Sequence, residues 1–100
     1  MDLGTSIRMA VDTGKIVFGS DKTRKLSLSG KPKLVVVSSN CPAEARQDIE
    51  HFCRLAKITV FTFPGTSVEL GTTCGKPFII SAFAVMDFGN SDLAELVKTK

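Results

Sequence analysis

Residues Leu34, Val35, Val36 and Val37, inside "KLVVVSS", are apolar at every position rather than at every second one. Successive side chains of a strand point to opposite faces, so a strand with one wet face alternates, and an unbroken apolar run describes a strand covered on both sides. Helices packed on both faces of the sheet supply that cover.

The rest of the chain provides those helices. Leu3, Ile7, Ala10 and Val11 recur at helical spacing before Gly14, so residues 3–13 read as an amphipathic helix. "KIVFG" reads as a short strand ended by Gly19, after which Ser20 or Asp21 is expected to cap a second helix, "KTRKLSLS", closed by Gly30. In "NCPAEARQDIEHFCRLAK", Pro42 is expected at the first helical position with Cys41 as the cap, and Ala45, Ile49, Phe52, Cys53 and Ala56 form one apolar stripe. "ITVFTF" is the next strand, ended by Pro64 and Gly65. Thr66 with Glu69 is a capping-box signature for a helix kept short by Gly75 and Pro77. The last strand is predicted over "FIISAFAVM", residues 78–86, followed by a terminal helix on Leu93, Leu96 and Val97 with Asp92 and Glu95 at its start. The expected architecture is a three-layer α/β/α sandwich around a four-stranded mixed sheet. With neither linker nor internal repeat, residues 1–100 are expected to form a single domain.

Composition removes several classes of function. Cysteines at 41, 53 and 74, with no C-x-x-C spacing and a single histidine, form neither a disulfide scaffold nor a thiol zinc site, and fit a reducing compartment. The N-terminal "MDLGTSIRMAVDTGK" lacks the basic start and apolar core of a signal peptide, and no run reaches the roughly 18 apolar residues of a membrane span, so a cytoplasmic protein without cofactor is expected. Cys41 is the best enzymatic candidate, because the positive end of a helix lowers a thiol pKa. Its only possible base, His51, lies ten residues along the same helix, about 15 Å by helical rise and far beyond hydrogen-bond reach. "GSDKTRK", between a strand and a helix, is neither G-x-G-x-x-G nor G-x-x-x-x-G-K-[ST]. It does present a helix N-terminus and Lys22, which suit one phosphate of a polymer backbone.

The formal charge of +3 is unevenly placed. Arg8, Lys15, Lys22, Arg24, Lys25, Lys31 and Lys33 face only Asp2, Asp12 and Asp21 in the first third of the chain, which is either an ordinary solvated face or a field for a polyanion. Lys22 and Lys25 share one helix face. Asn40, at a strand-to-helix junction, is either an Asx turn or a binding amide free to donate and accept. If the strands before Gly19 and Asn40 run parallel, both residues border one edge of the sheet. Phe78 joins them only if its own strand is antiparallel. It is either core filler or an exposed ring.

"GSDKTRKLSLSGKPKLVVVSSNCP" and "FTFPGTSVELGTTCGKPF", with the spacing between them, resemble the archaeal and eukaryotic family of large-subunit ribosomal protein number thirty, within the wider superfamily of kink-turn RNA-binding proteins. The resemblance runs from about residue 5 to residue 92, and the absence of eukaryote-style extensions points to the archaeal branch. It implies an α/β/α sandwich that is not an enzyme. The implied ligand is a helix–internal loop–helix of ribosomal RNA, and the implied neighbours are other large-subunit proteins around a chain that is monomeric when isolated. The family's RNA contacts fall on Gly19, Asp21, Lys22, Asn40, Arg46, Phe78 and Ser81, with Arg24 and Lys25 as a supporting basic face. Asp21 stands where relatives often carry Lys, Arg or Asn, and Ser81 where some have Gly. The alternatives are a kink-turn protein of a guide-RNA or RNA-processing particle, and a protein-interaction module of the same fold without RNA.

Overall fold

The computed structural model describes residues 3–91 and residue 93. Its elements alternate as α1 (Leu3–Thr13), β1 (Lys15–Phe18), α2 (Ser20–Ser29), β2 (Leu34–Val37), α3 (Ala43–Ala56), β3 (Thr59–Thr62), α4 (Ser67–Thr73) and β4 (Ala82–Asp87). The four strands form one sheet in the order β1-β4-β2-β3. β4 runs antiparallel to both β1 and β2, whereas β2 and β3 are parallel. β1, β2 and β3 thus all point one way, as the mixed-sheet expectation requires.

The doubly buried β2 divides two cores. Leu34 and Val36 join Ile7, Ala10, Leu70, Phe83 and Val85 under α1 and α4. Val35 and Val37 join Ile49, Cys53, Ala82 and Ala84 under α3, with Leu26 of α2 packed alongside. Every residue of β2 is fully buried, which is why none is polar. β4 carries its large side chains toward α1 and α4 and its alanines toward α2 and α3. The alanines leave room for α2 to come close, and its inner face is correspondingly small: Thr23 and Ser27 are fully buried. Ser27 Oγ donates to the Thr23 carbonyl at 2.7 Å and accepts from the Cys53 thiol at 3.3 Å, so Ser27 has its partners inside the layer, whereas the buried Thr23 hydroxyl has none among the described residues.

Three boundaries differ from the sequence reading. α2 starts at Ser20 with Gly19 as its cap and no side-chain cap, in place of the expected Ser20 or Asp21 cap. α3 starts at Ala43 with Pro42 as the cap, one residue later than expected. The fixed φ of Pro42, −53°, accompanies an extended ψ of 136°, so proline turns the chain into the helix from outside it. The largest difference is β4, which begins at Ala82 rather than Phe78. Its neighbours have run out by then: the last paired positions are Phe18 with Phe83 and Val37 with Ala82. Residues 78–81 therefore leave the sheet, and Ile80 N–H bonds instead to the Ser67 carbonyl at 3.0 Å. Of the expected terminal helix, Leu96 and Val97 lie outside the described residues, while Leu93 is fully buried in the first core.

Candidate nucleic-acid interface

The strand directions place the ends of β1, β2 and β3 and the start of β4 along one edge, and hydrogen bonds lace the loops there together. Gly19 N–H donates to the Ala82 carbonyl at 3.0 Å, Ser38 N–H to the Ser81 carbonyl at 2.8 Å, and Ser39 N–H to the Gly65 carbonyl at 2.9 Å. Gly19, Asn40 and Phe78–Ser81 consequently share this edge, as the parallel and antiparallel conditions set by the sequence demand.

Gly19 has φ 111° and ψ 139°, a conformation that essentially only glycine adopts. That sharp bend sends α2 away from the edge with its first turn facing outward. The first helical bond is Thr23 N–H to the Gly19 carbonyl at 2.9 Å, so the N–H groups of Ser20, Asp21 and Lys22 have no acceptor among the described residues. Lys22 and Asp21 are both exposed. Asp21 does not cap the helix; its charge in the first turn complements the helix dipole, which gives this acidic residue a place despite the basic surroundings. Lys25 stands one turn on and is exposed, and Arg24 is half-buried.

The structure corrects the reading of the Asn40 amide as wholly free. Its Oδ1 accepts the Ser67 N–H at 2.8 Å and the Ser38 hydroxyl at 3.1 Å. Because a backbone N–H can only donate, the atom facing it is the oxygen, and Nδ2 is turned the other way with no partner among the described residues. One end of the side chain thus ties α4 to the β2–α3 loop, and the other is presented outward as a fixed donor.

Arg46, one turn into α3, is held from two sides. Its Nε bonds Glu50 Oε1 at 2.9 Å, and its Nη2 donates to Thr62 Oγ1 at 2.9 Å at the end of β3. The guanidinium is thereby oriented, with its remaining N–H groups available to a ligand.

Phe78 is 53% exposed, which settles the question of filler against open ring. It stands at the outer end of a series of rings: Phe83 is fully buried, Phe18 packs on it at 6.1 Å, and Phe78 meets Phe18 nearly edge-to-face at 6.5 Å and 83°. Gly71 fixes where that ring stands, since a Cβ there would collide with the Phe78 carbonyl oxygen. The glycine of "SVELG" therefore lets residues 78–79 lie directly on α4. Lys76, which the sequence reading did not single out, has its Nζ 5.4 Å from the centroid of the Phe18 ring, and the exposed Val68 and Ile79 extend the apolar surface beside Phe78. A cation two residues before the ring in "GKPF" was the available signal for Lys76; Thr62 had none. Ser81 is half-buried and contributes its carbonyl to the Ser38 bond.

Cys41 is buried, and burial pushes its thiol up from 9.0 despite the opposing charge of Arg46, with Glu50 adding to the rise. The net shift is upward, opposite to the lowering expected at a helix N-terminus. His51 is exposed beside Phe52. Among the described residues no three His, Cys, Asp or Glu side chains gather as metal ligands, and no helix is long and apolar enough to cross a membrane.

An outward-facing helix N-terminus, a fixed amide donor, an oriented guanidinium and an open ring on one edge of an α/β/α sandwich have the chemistry to meet a ligand that presents both phosphates and flat bases. Residues 1–95 match the ribosomal protein L7Ae/L30e/S12e/Gadd45 family, and the chain belongs to that family. It is 52% identical to large ribosomal subunit protein eL30 of Methanopyrus kandleri over 97 residues, covering 97% of this chain and 89% of the relative. It is 47% identical to the eL30 of Methanothermobacter thermautotrophicus, covering 97% and 99%, and 44% identical to that of Methanocaldococcus jannaschii, covering 100% and 91%. The fold also superposes, with a TM-score of 0.81 over 97% of each chain at 22% identity, on a solved structure of a protein of unknown function from Bacillus halodurans C.

Proposed function

We propose that the chain is a structural constituent of the large ribosomal subunit, acting in the cytoplasm as one domain that grips a kink-turn of ribosomal RNA. The observation that carries this reading is the meeting of an open helix N-terminus, an outward amide donor and an exposed ring on one edge, in a chain so similar to eL30 proteins. The backbone N–H groups of Ser20, Asp21 and Lys22 and the Lys22 ammonium hold phosphates, with Arg24 and Lys25 strengthening the field. Gly19 makes that approach possible. Asn40 Nδ2 donates to a base edge of the bulge, Arg46 spans base and phosphate, and Phe78 stacks on an extruded base, with Ser81 close to the backbone beneath it. The role is binding and positioning; the protein is not an enzyme.

A filter-binding titration with a kink-turn RNA and a plain duplex of equal length, repeated at rising salt, tests the reading. The expected result is a clear preference for the kinked RNA with a negative slope of log affinity against log salt. Equal affinity for the two RNAs would remove the specific site. Recovery of the tagged chain in a small RNA particle, and not in purified large subunits, would move it to another branch of kink-turn proteins.

A further inference from the structure

β3 is an edge strand: it pairs with β2 on one side, and among the described residues no strand lies on the other. Just beyond its end, Phe63 N–H donates to the Val37 carbonyl at 2.7 Å, and the parallel register carries the same facing back to Phe61. Backbone groups alternate in direction along a strand, so Val60 and Thr62 turn their N–H and C=O away from the sheet. Side chains alternate as well, Val60 packing with the second core under α3 and Phe61 with the first. On the α3 side a groove of about 390 Å³ follows this open edge between helix and strand, its lining including Val60, Thr62, Glu50, Arg54 and Lys57. Its charges are unbalanced. Glu50 is held by Arg46 at 2.9 Å, whereas Arg54 and Lys57 are exposed and form no ion pair among the described residues.

We propose that a neighbouring protein adds a short extended segment to β3, its backbone pairing with Val60 and Thr62 while alternate side chains carry carboxylates over the groove to Arg54 and Lys57. The open edge sets the form of this occupant, because a donor and an acceptor at each of two residues match another extended peptide backbone. The cations lining the groove set its charge. Side chains between the carboxylates fall on the opposite face, beside the half-buried Phe61, and are apolar. RNA matches the cations but not the edge: phosphate oxygens only accept, and the outward carbonyls of Val60 and Thr62 oppose them. A second copy pairing β3 with β3 about a two-fold axis brings its own Arg54 and Lys57 to the same edge, like charge against like. The location of the partner rests on the ribosomal reading, since it is sought among neighbours in the same particle.

A water-soluble carbodiimide condenses a lysine amine with a carboxylate in contact with it to an amide, the reagent taking up the water as a urea, and so reads the proposed pair at Lys57 directly. Purified large subunits carrying the tagged chain are treated with it, and the linked peptides are sequenced by mass spectrometry. The expected product joins Lys57 to an Asp or Glu of another protein, in a stretch where acidic and apolar residues alternate. Lys57→Arg keeps the charge but forms no such amide, and should abolish the product. Val60→Pro removes an outward N–H that the sheet does not use, at an edge position where proline is admitted. It should lower the Lys57 product at least about tenfold while kink-turn RNA affinity stays within about twofold. Where Val60→Pro abolishes RNA affinity too, and with it the fold, Arg54→Glu makes the same test through the charge, with the same expected loss of product. Lys57 joined only to this chain, to RNA under ultraviolet light, or to nothing in particles that contain the chain overturns the proposal, as does a partner stretch without alternation or a yield that the substitutions leave unchanged. If the chain is absent from large subunits, the ribosomal reading fails instead, and the same criterion is applied to the particle that retains it.

Discussion

The carboxamide of Asn40 spends its oxygen on the fold and leaves Nδ2 facing outward, and this makes the structural role separable by substitution from the proposed contact with RNA. Asn40→Asp keeps an oxygen for the Ser67 N–H but replaces the outward donor with a second, negatively charged oxygen. Its urea midpoint should stay near that of the unaltered chain while RNA affinity falls at least about tenfold; unchanged affinity would show that Nδ2 meets nothing. Asn40→Ala removes the acceptor as well, and a buried N–H left unpaired costs about 1 to 3 kcal/mol of stability. The rings give a parallel contrast. Phe78→Ala should cost about 1 to 3 kcal/mol of RNA affinity and little stability, whereas Phe83→Ala, at the buried end of the same series, should cost about 3 to 5 kcal/mol of stability. A paired urea melt and RNA titration reads both, and reversed losses would refute stacking. Among the thiols, burial lifts Cys74 from 9.0 to about 11, against the smaller pull of Lys76 and Arg8. A raised acid pKa in the folded state means that the folded form favours the neutral thiol. Its contribution to stability is therefore complete below pH 9 and is lost as pH rises toward 11. Melts of Cys74→Ala against the unaltered chain across that interval should converge as the pH rises.

At the scale of elements, what the sequence made legible was periodicity, and what it hid was where neighbours end. The run from Leu34 to Val37 announced a strand between two layers, and Thr66 with Glu69 announced a cap that is present, Glu69 N–H donating to Thr66 Oγ1 at 3.3 Å. Residues 78–80 are as apolar as the strand they precede, so no pattern within the segment separates them from it. Only the lengths of β1 and β2 do, and those are properties of other segments. The same holds for the site. Gly19, Lys22, Asn40 and Phe78 were placed by resemblance, and the topology brings the elements that carry them to one edge. The hold of Thr62 on Arg46 and of Asn40 on Ser67 joins residues 16 and 27 apart that share no local motif. Gly71 makes this dependence testable. Gly71→Ala should leave α4 helical, where alanine is the better former, yet displace Phe78 through its carbonyl. RNA affinity should then fall by an amount comparable to Phe78→Ala, with the Phe78 ring resonances shifted; an unshifted ring with full affinity would show that the loop does not depend on the glycine.

The whole molecule has two ends of different character, because α2 and α3 lie side by side in the same direction and present their N-termini at one pole and their C-termini at the other. Basic residues stand at both poles, so net charge alone does not say which end faces RNA. Helix polarity and local chemistry distinguish them. At the N-terminal pole the free N–H groups of α2 add to Lys22, whereas at the C-terminal pole the carbonyl ends of both helices stand beside Lys31 and Lys57 and weaken an anion's attraction. Lys22→Ala should therefore lower affinity for kinked and duplex RNA alike and reduce the magnitude of the log–log salt slope by about 1, as the loss of one phosphate contact requires. Lys57→Ala removes the same formal charge from the opposite pole. At low salt it should weaken binding slightly through the long-range field, but at 0.15 M its distance from the RNA edge exceeds the Debye length of about 8 Å, so affinity and slope should match the unaltered chain. Equal losses from the two substitutions at 0.15 M salt would mean that RNA wraps the whole basic surface, and that the edge built from Gly19, Asn40, Arg46 and Phe78 is not where the molecule reads it.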